Sequence, residues 1–250
     1  MTEPDAALAA AAAALSSLAA EEALPFTVRL VSNEEELYKA VRIRHATYAR
    51  QLPDLAAKLK YPESADTFPG VVNLLAQSKA GGVPLGSIRI QSNEFGPLLL
   101  AQSFALPQRL SSVRVIEASR FGLTQQDGAD LVAMALFKAC YLYCRQISAQ
   151  WMVIAAREPM IEQYEQLMFE DIFPELGAIP LLHADSLPHR IMSLNIPTVQ
   201  ERWAAARHPH LGFHFFTRHP DIDVSGPAYS NPSPIKRTAF PQLAARNSKF

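Results

Sequence analysis

The 250-residue chain has only two cysteines, no glycine-rich loop, no long apolar run and almost no net charge, and each of these lacks excludes something. Cys140 and Cys144 stand four apart in a helical pattern, on one face but in a geometry unsuited to a disulfide. Two cysteines alone cannot complete a structural zinc site, so they read as reduced core thiols, which fits a cytoplasmic protein. With no base partner in the sequence pattern, they are not read as catalytic nucleophiles. A formal charge of -1 argues against a general nucleic-acid coat, and no nucleic-acid partner is expected. The most apolar helical stretch, residues 131–144, is interrupted by Lys138 and is shorter than the roughly 20 residues a membrane span needs. Membrane contact is therefore expected only peripherally. Glu3 and Asp5 precede an alanine run where a secretory signal would carry basic residues and an apolar core.

What is present is ordinary globular material, 49% hydrophobic and 19% charged, in an amount that one domain can hold. Residues 1–25 form an alanine-rich extension with high helix propensity and few side chains to pack. Residues 26–31 alternate as a strand, and Ser32-Asn33 with Glu34 to Glu36 opens a helix. That helix carries Leu37, Val41, Arg44 and Tyr48 on one face; spacing alone reads Arg44 as snorkelling and Tyr48 as core. Residues 51–69 read as an irregular loop, a length that favours function. Strands follow at 71–76 and 85–91, joined through Ala80-Gly-Gly82, and residues 93–106 read as another loop.

The centre is Val113-Arg-Val-Ile-Glu-Ala-Ser-Arg-Phe-Gly-Leu123, a β-branched run typical of a buried strand. Glu117 and Arg120 inside it are costly unless paired or functional. A polar turn and a helix over 130–146 come next, then a strand over 150–156, a plausible βαβ crossover with parallel neighbours. A helix opening at Arg157-Glu-Pro159, weaker strands at 176–182 and 189–195 and a helix at 198–207 complete a mixed α+β fold. The domain is placed at 26–224, with 225–250 as a tail. His208, His210, His214 and His219 match no common metal spacing, and no metal is expected.

The series Arg44-His-Ala-Thr-Tyr48, Glu63-x-x-Asp66, Gly86-Ser-Ile-Arg89 and Glu117-Ala-Ser-Arg-Phe121 resembles the acyl-homoserine-lactone synthases, and still more their relatives the N-acyl amino acid synthases. Both belong to the GNAT superfamily of acyltransferases. The resemblance covers approximately residues 26–195 and extends toward Trp203 and Thr217-Arg-His-Pro220. It implies a central mixed sheet flanked by helices and transfer of a medium or long acyl group from an acyl-phosphopantetheine thioester to an amine. No tightly bound cofactor is implied. Catalysis is then expected from Glu117, assisting amine deprotonation, with Arg120 and Arg89. Arg44, Tyr48, Glu63 and Asp66 form the acceptor side, where Arg44 or Arg89 suits an amino-acid carboxylate. Ser119, Phe121, Gly122 and Leu123 line the donor side, their backbone N–H groups near the thioester. Read without the resemblance, the same charges are equally a buried ion network that fixes the fold.

Two departures direct the reading. Glu63 stands where the lactone synthases have Asp, and Gln51-Leu-Pro-Asp54 lacks their aromatic pattern, which points away from S-adenosylmethionine. Gly122-Leu-Thr-Gln-Gln-Asp-Gly128 lacks the pyrophosphate loop of many acetyl-CoA enzymes, which points to acyl carrier protein as partner. Arg109, Arg114, Lys138, Arg145 and Arg157 are its expected docking surface. Met134, Phe137, Tyr141, Met152 and Ile154 are an acyl-tunnel stripe or plain core. An acyl-homoserine-lactone synthase and a non-catalytic GNAT-fold acyl-ligand or partner-binding protein stand as alternatives.

Overall fold

The computed structural model describes residues 20–229. Most of the alanine-rich stretch and residues 230–250 of the expected tail lie outside the described residues. In chain order the elements are β1 (Ala20–Glu21), β2 (Phe26–Leu30), α1 (Glu34–Ala49), α2 (Pro53–Lys58), β3 (Val71–Ser78), β4 (Pro84–Ser92), α3 (Gln108–Ser111), β5 (Val115–Leu123), α4 (Ala129–Gln146), β6 (Trp151–Ala156), α5 (Met160–Gln166), β7 (Glu170–Asp171), β8 (Ile179–Leu181), β9 (Leu187–Asn195), α6 (Val199–Ala205), β10 (Thr217–Arg218) and β11 (Ile222–Asp223). The main sheet runs β11–β2–β3–β4–β5–β6–β9–β7. β5 and β6 are parallel across the α4 crossover, β11 is parallel to β2, and the other neighbours on this path are antiparallel.

The alternation of β3, β4 and β5 divides the molecule into an apolar and a polar face. Val72, Leu74, Ile88, Ile90, Ile116 and Ala118 point one way and join α4 in the largest core cluster. Asn73, Ser87, Arg89, Gln91, Glu117 and Ser119 occupy the alternate positions, and the registers place Asn73 opposite Arg89 and Arg89 opposite Ser119. α1 covers this second face: Ser87 Oγ donates to the Ala40 carbonyl at 3.1 Å, and Leu37, Ala40 and Val41 pack with Leu75. A further apolar cluster, containing Leu98, Leu100, Val115 and Val153, lies beyond Glu117. The buried charges thus sit between two small cores.

Gly86 belongs to this packing. A Cβ there would meet Leu123 and Leu136 carbons at 2.8 Å, so α4 approaches β4 closely only because the position has no side chain.

Several sequence expectations are revised. Residues 51–69 contain a helix and a 3-10 turn (Ser64–Thr67) rather than continuous loop; Pro53 starts α2 at a first-turn position, where a missing N–H costs nothing. The 93–106 loop likewise contains 3-10 turns, Asn93–Phe95 and Leu99–Gln102. A π-helix at Gly212–Phe216 follows α6. The Ala20–Glu21 strand pairs with Thr217–Arg218, and Tyr229 N–H donates to the Val31 carbonyl at 2.7 Å, so both ends of the described chain lie along the body. Cys140 and Cys144 are buried, and burial pushes both thiols up, away from the reactive thiolate.

Candidate active site

Four elements bring the charged residues together. Arg44 comes from α1, Glu63 and Asp66 from the turn after α2, Arg89 from β4 and Arg120 from β5. The Glu63–Asp66 turn is self-braced by a reciprocal capping box, with Glu63 N–H donating to Asp66 Oδ2 at 2.8 Å. Arg44 Nη1 donates to both Asp66 oxygens at 2.9 and 3.0 Å, and its Nη2 donates to Asn73 Oδ1 at 3.1 Å. Arg89 Nη1 bridges Glu63 at 3.0 Å and Asp66 at 3.3 Å, while its Nε reaches Ser119 Oγ at 3.3 Å. Arg120 grips Glu63 with two parallel hydrogen bonds of 2.8 Å.

Arg120 reaches that position through a β-bulge. Between Ser87/Gly122 and Arg89/Ser119 the β5 strand carries one extra residue, and Arg120 has φ 55°. Unbroken alternation would turn Arg120 onto the apolar α4 face; the bulge lets Ser119 and Arg120 both serve the polar one. A non-glycine residue at this φ costs about 1–2 kcal/mol, offset here by the paired bonds to Glu63.

Electrostatics separate the roles. Burial opposes the charge on Glu63, but Arg120's hydrogen bonds and the Arg89, Arg120 and Arg44 charges outweigh it and hold the carboxyl at about 2. Burial likewise opposes charge on Arg120, and Glu63 reverses the effect and raises it. Glu117 behaves oppositely. Its side chain is 1% exposed, and burial pushes its pKa up to about 6 against the Leu100 N–H bond and the charges of Arg89 and Arg120. Oε2 accepts that N–H at 2.9 Å, while Oε1 has no hydrogen-bond partner among the described residues. Three guanidinium groups against Glu63 and Asp66 leave one surplus positive charge, which an ionised Glu117 balances.

Most of the expected residues converge, but their accessibility differs from expectation. Arg44 and Arg89, offered above for an amino-acid carboxylate, are almost fully buried and committed inward to Asp66, Glu63 and Asn73. Glu63, 23% exposed, is the member that solvent reaches. Tyr48 is half-buried, close enough to Arg120 to support its charge. Leu123 N–H donates to Thr47 Oγ1 at 3.1 Å, so it is not a free donor for a thioester. Gly122 admits α1 instead: a Cβ there would meet Thr47 Oγ1 at 3.0 Å and Arg44 Cα at 3.3 Å. Phe121 turns to the α4 face against Phe137, ring centroids 5.3 Å apart.

The β5–β6 ladder ends at Ala118 and Ile154, although β5 continues to Leu123 and β6 to Ala156. Two parallel strands therefore part immediately beyond Glu117. On the α4 face a cavity of about 20 Å³ is lined by apolar and aromatic side chains including Phe137, Tyr141, Met152, Trp203 and Phe215. Three of the five stripe residues line it; Met134 and Ile154 do not.

Asn73, Thr47 and His183 take part without having been singled out in sequence. Asn73 sits in an alternating strand whose polar member was a usable signal; Thr47 and His183 carried none. Lys138 leaves the expected docking surface: it is buried, with Nζ donating to the Phe213 and Thr217 carbonyls at 2.7 and 2.5 Å and facing His219 Nδ1 at 2.8 Å. His208 stacks on Trp203. Among the described residues no three His, Cys, Asp or Glu side chains gather as a metal site, and no helix is long and apolar enough to cross a membrane.

No protein-family model matches the sequence, and no curated protein matches it either. Solved structures do. FeeM, an N-acyl amino acid synthase from uncultured soil microbes, superposes with a TM-score of 0.55 at 18% identity, over 73% of this chain and 96% of its own. BjaI, a CoA-dependent acyl-homoserine lactone synthase solved with SAM and isopentyl-CoA, gives 0.52 at 16% identity, over 82% of this chain and 95% of its own.

The chain shares the fold of these two structures.

Within this shared sheet, the polar face of β3–β5 and the parting of β5 from β6 adjoin Glu117. A buried carboxylate poised near neutral pH, a positive field and a gap between strands are the parts an acyl transfer to an amine requires.

Proposed function

We propose that the protein is an N-acyltransferase that moves a medium or long fatty acyl group from acyl carrier protein to the α-amine of an amino acid. The observation that carries this reading is Glu117: buried, titrating at about 6, and holding one unpartnered oxygen beside the gap between β5 and β6. Glu117 takes a proton from the acceptor ammonium. The freed lone pair attacks the thioester carbonyl, a C–N bond forms and the C–S bond breaks. The phosphopantetheine sulfur leaves as thiol, carrying one of the two protons the ammonium loses; the other is released. Arg89 and Arg120 supply a positive field for the developing oxyanion. Glu63, the exposed anion of the network, attracts the ammonium end of the acceptor.

The acyl chain passes between β5 and β6 toward the apolar cavity on the α4 face. At about 20 Å³ that cavity holds little more than one water, so Phe137 and its neighbours move aside for a chain.

The carrier-protein surface is revised on the same geometry. Arg109 and Arg114 precede β5 and Arg145 lies in the last turn of α4, so these three sit toward the end of the β5–β6 ladder away from the gap, whereas Arg157 follows β6 on the gap side. A groove of about 600 Å³ along α1 reaches Thr124, one residue past β5. Its charged lining is all basic (Lys39, Arg42 and Lys60), beside the exposed rings of Tyr38 and Tyr61, a suitable face for an acidic carrier.

The test offers purified protein acyl carrier protein or CoA charged with the same fatty acid, with amino acids or S-adenosylmethionine as acceptor. Acyl carrier protein with an amino acid is expected to react best, giving an N-acyl amino acid and free carrier thiol. Methylthioadenosine with a lactone instead would establish the lactone-synthase reading, and no transfer from either donor would favour a binding protein.

A further inference from the structure

Beside Glu117 stands His183, in the one-turn 3-10 segment Leu182–Ala184 between β8 and β9. The backbone there is held without help from the ring: Leu182 N–H donates to Ser103 Oγ at 2.9 Å, and Arg120 Nη2 donates to the His183 carbonyl at 3.2 Å. The ring itself makes no hydrogen bond to a described residue. Nδ1 is buried without a partner, and Nε2 lies 3.9 Å from Glu117 Oε1, itself buried without a partner. Native proteins rarely leave a buried carboxylate oxygen such as Oε1 without a partner, and Nε2 is the ring nitrogen that faces it. The separation exceeds a hydrogen bond by about 1 Å, the slack common in catalytic pairs before substrate binds. Burial, then Arg120, Arg89 and His189, hold the imidazole at about 4 against the weaker pull of Glu63, so it is neutral at physiological pH.

The proposed reaction leaves this pair a task. An ammonium and a thioester yield an amide, a thiol and one free proton, so each turnover must discharge a proton from the site. Glu117 is 1% exposed, whereas the His183 side chain beside it is 11% exposed. We infer that His183 is the proton relay between Glu117 and solvent. Protonated Glu117 passes its proton to His183 Nε2, the imidazolium gives that proton to water from the same nitrogen, since Nδ1 is buried, and the carboxylate is restored. Only O–H and N–H bonds change. An imidazole this acidic, flanked by two guanidinium groups, sheds the proton instead of storing it.

The inference rests on the acyltransferase reading, and two measurements keep the two apart. His183→Gln preserves the fold, because the contacts that hold this turn are to backbone. It should lower kcat by about 10- to 100-fold, the lower end for acid–base groups, with KM for donor and acceptor unchanged. Added imidazole should restore turnover to His183→Ala. Unchanged kcat in His183→Gln, or a loss that imidazole does not relieve, would overturn the relay. The second measurement needs no turnover: ring ¹⁵N shifts of His183 should follow the titration of Glu117 near pH 6 and cease to do so in Glu117→Gln. Coupled titration in a protein without acyl transfer would reject the reaction and keep the proton link; uncoupled titration would reject the relay itself.

Discussion

If Glu117 is kept for chemistry, Glu117→Gln should make the protein more stable at neutral pH while removing its activity. The folded protein holds Glu117 at about 6 against a reference value of 4.5. Between those values the folded state binds more protons than the unfolded state, so stability falls as pH rises. The favourable contribution is complete below pH 4.5 and lost above pH 6. About 1.5 units at 1.36 kcal/mol each makes the ionised carboxylate cost about 2 kcal/mol at pH 7.5. Glutamine cannot ionise, and its carbonyl can still accept the Leu100 N–H that Glu117 Oε2 accepts at 2.9 Å. The variant should therefore melt about 4–8 °C higher than wild type at pH 7.5 and nearly level with it at pH 4.5. Thermal unfolding followed by circular dichroism at the two pH values reads this directly. A structural ion-network role makes the opposite forecast, since removing a partnered charge destabilises. A Glu117→Gln variant less stable than wild type at pH 7.5, by more than at pH 4.5, would refute the reasoning.

Other perturbations separate the remaining parts. Glu63, held at about 2, contributes stability that is present above pH 4.5 and lost as pH falls toward 2; Glu63→Gln should cost about 3 kcal/mol at pH 7, and urea titrations should show the deficit closing in acid. Phe137→Leu, which opens the apolar cavity, should shift products toward longer acyl chains at a cost of about 1 kcal/mol, read by mass spectrometry and thermal melts. Charge reversal of Arg42 and Lys60 should raise KM for acyl carrier protein about tenfold and flatten its salt dependence, with KM for acyl-CoA little changed.

The local patterns were readable in the chain, and the long-range ones were not. Val72-Asn-Leu-Leu, Ile88-Arg-Ile and Ile116-Glu-Ala each put a polar residue between apolar neighbours, which is enough to orient Asn73, Arg89 and Glu117 onto one face. What alternation could not carry is the bulge at Arg120, because a positive φ leaves no mark in an arginine codeable by period, and it decides which face that guanidinium serves. Lys138 reads as surface on helical spacing, yet carbonyls of Phe213 and Thr217, more than seventy positions away, form its burial site. His183 has the same origin: a turn without periodicity, brought to Glu117 by β9 returning antiparallel to β6.

The central claim is that Glu117 drives transfer of an acyl group to an amine. The most direct test is mass spectrometry of lipid extracts from cells making the protein, beside cells making equal amounts of folded Glu117→Gln. The account predicts N-acyl amino acids in the first extract and none in the second, their masses giving chain length and acceptor together. The same acylated amines in both extracts, or in neither, would contradict it.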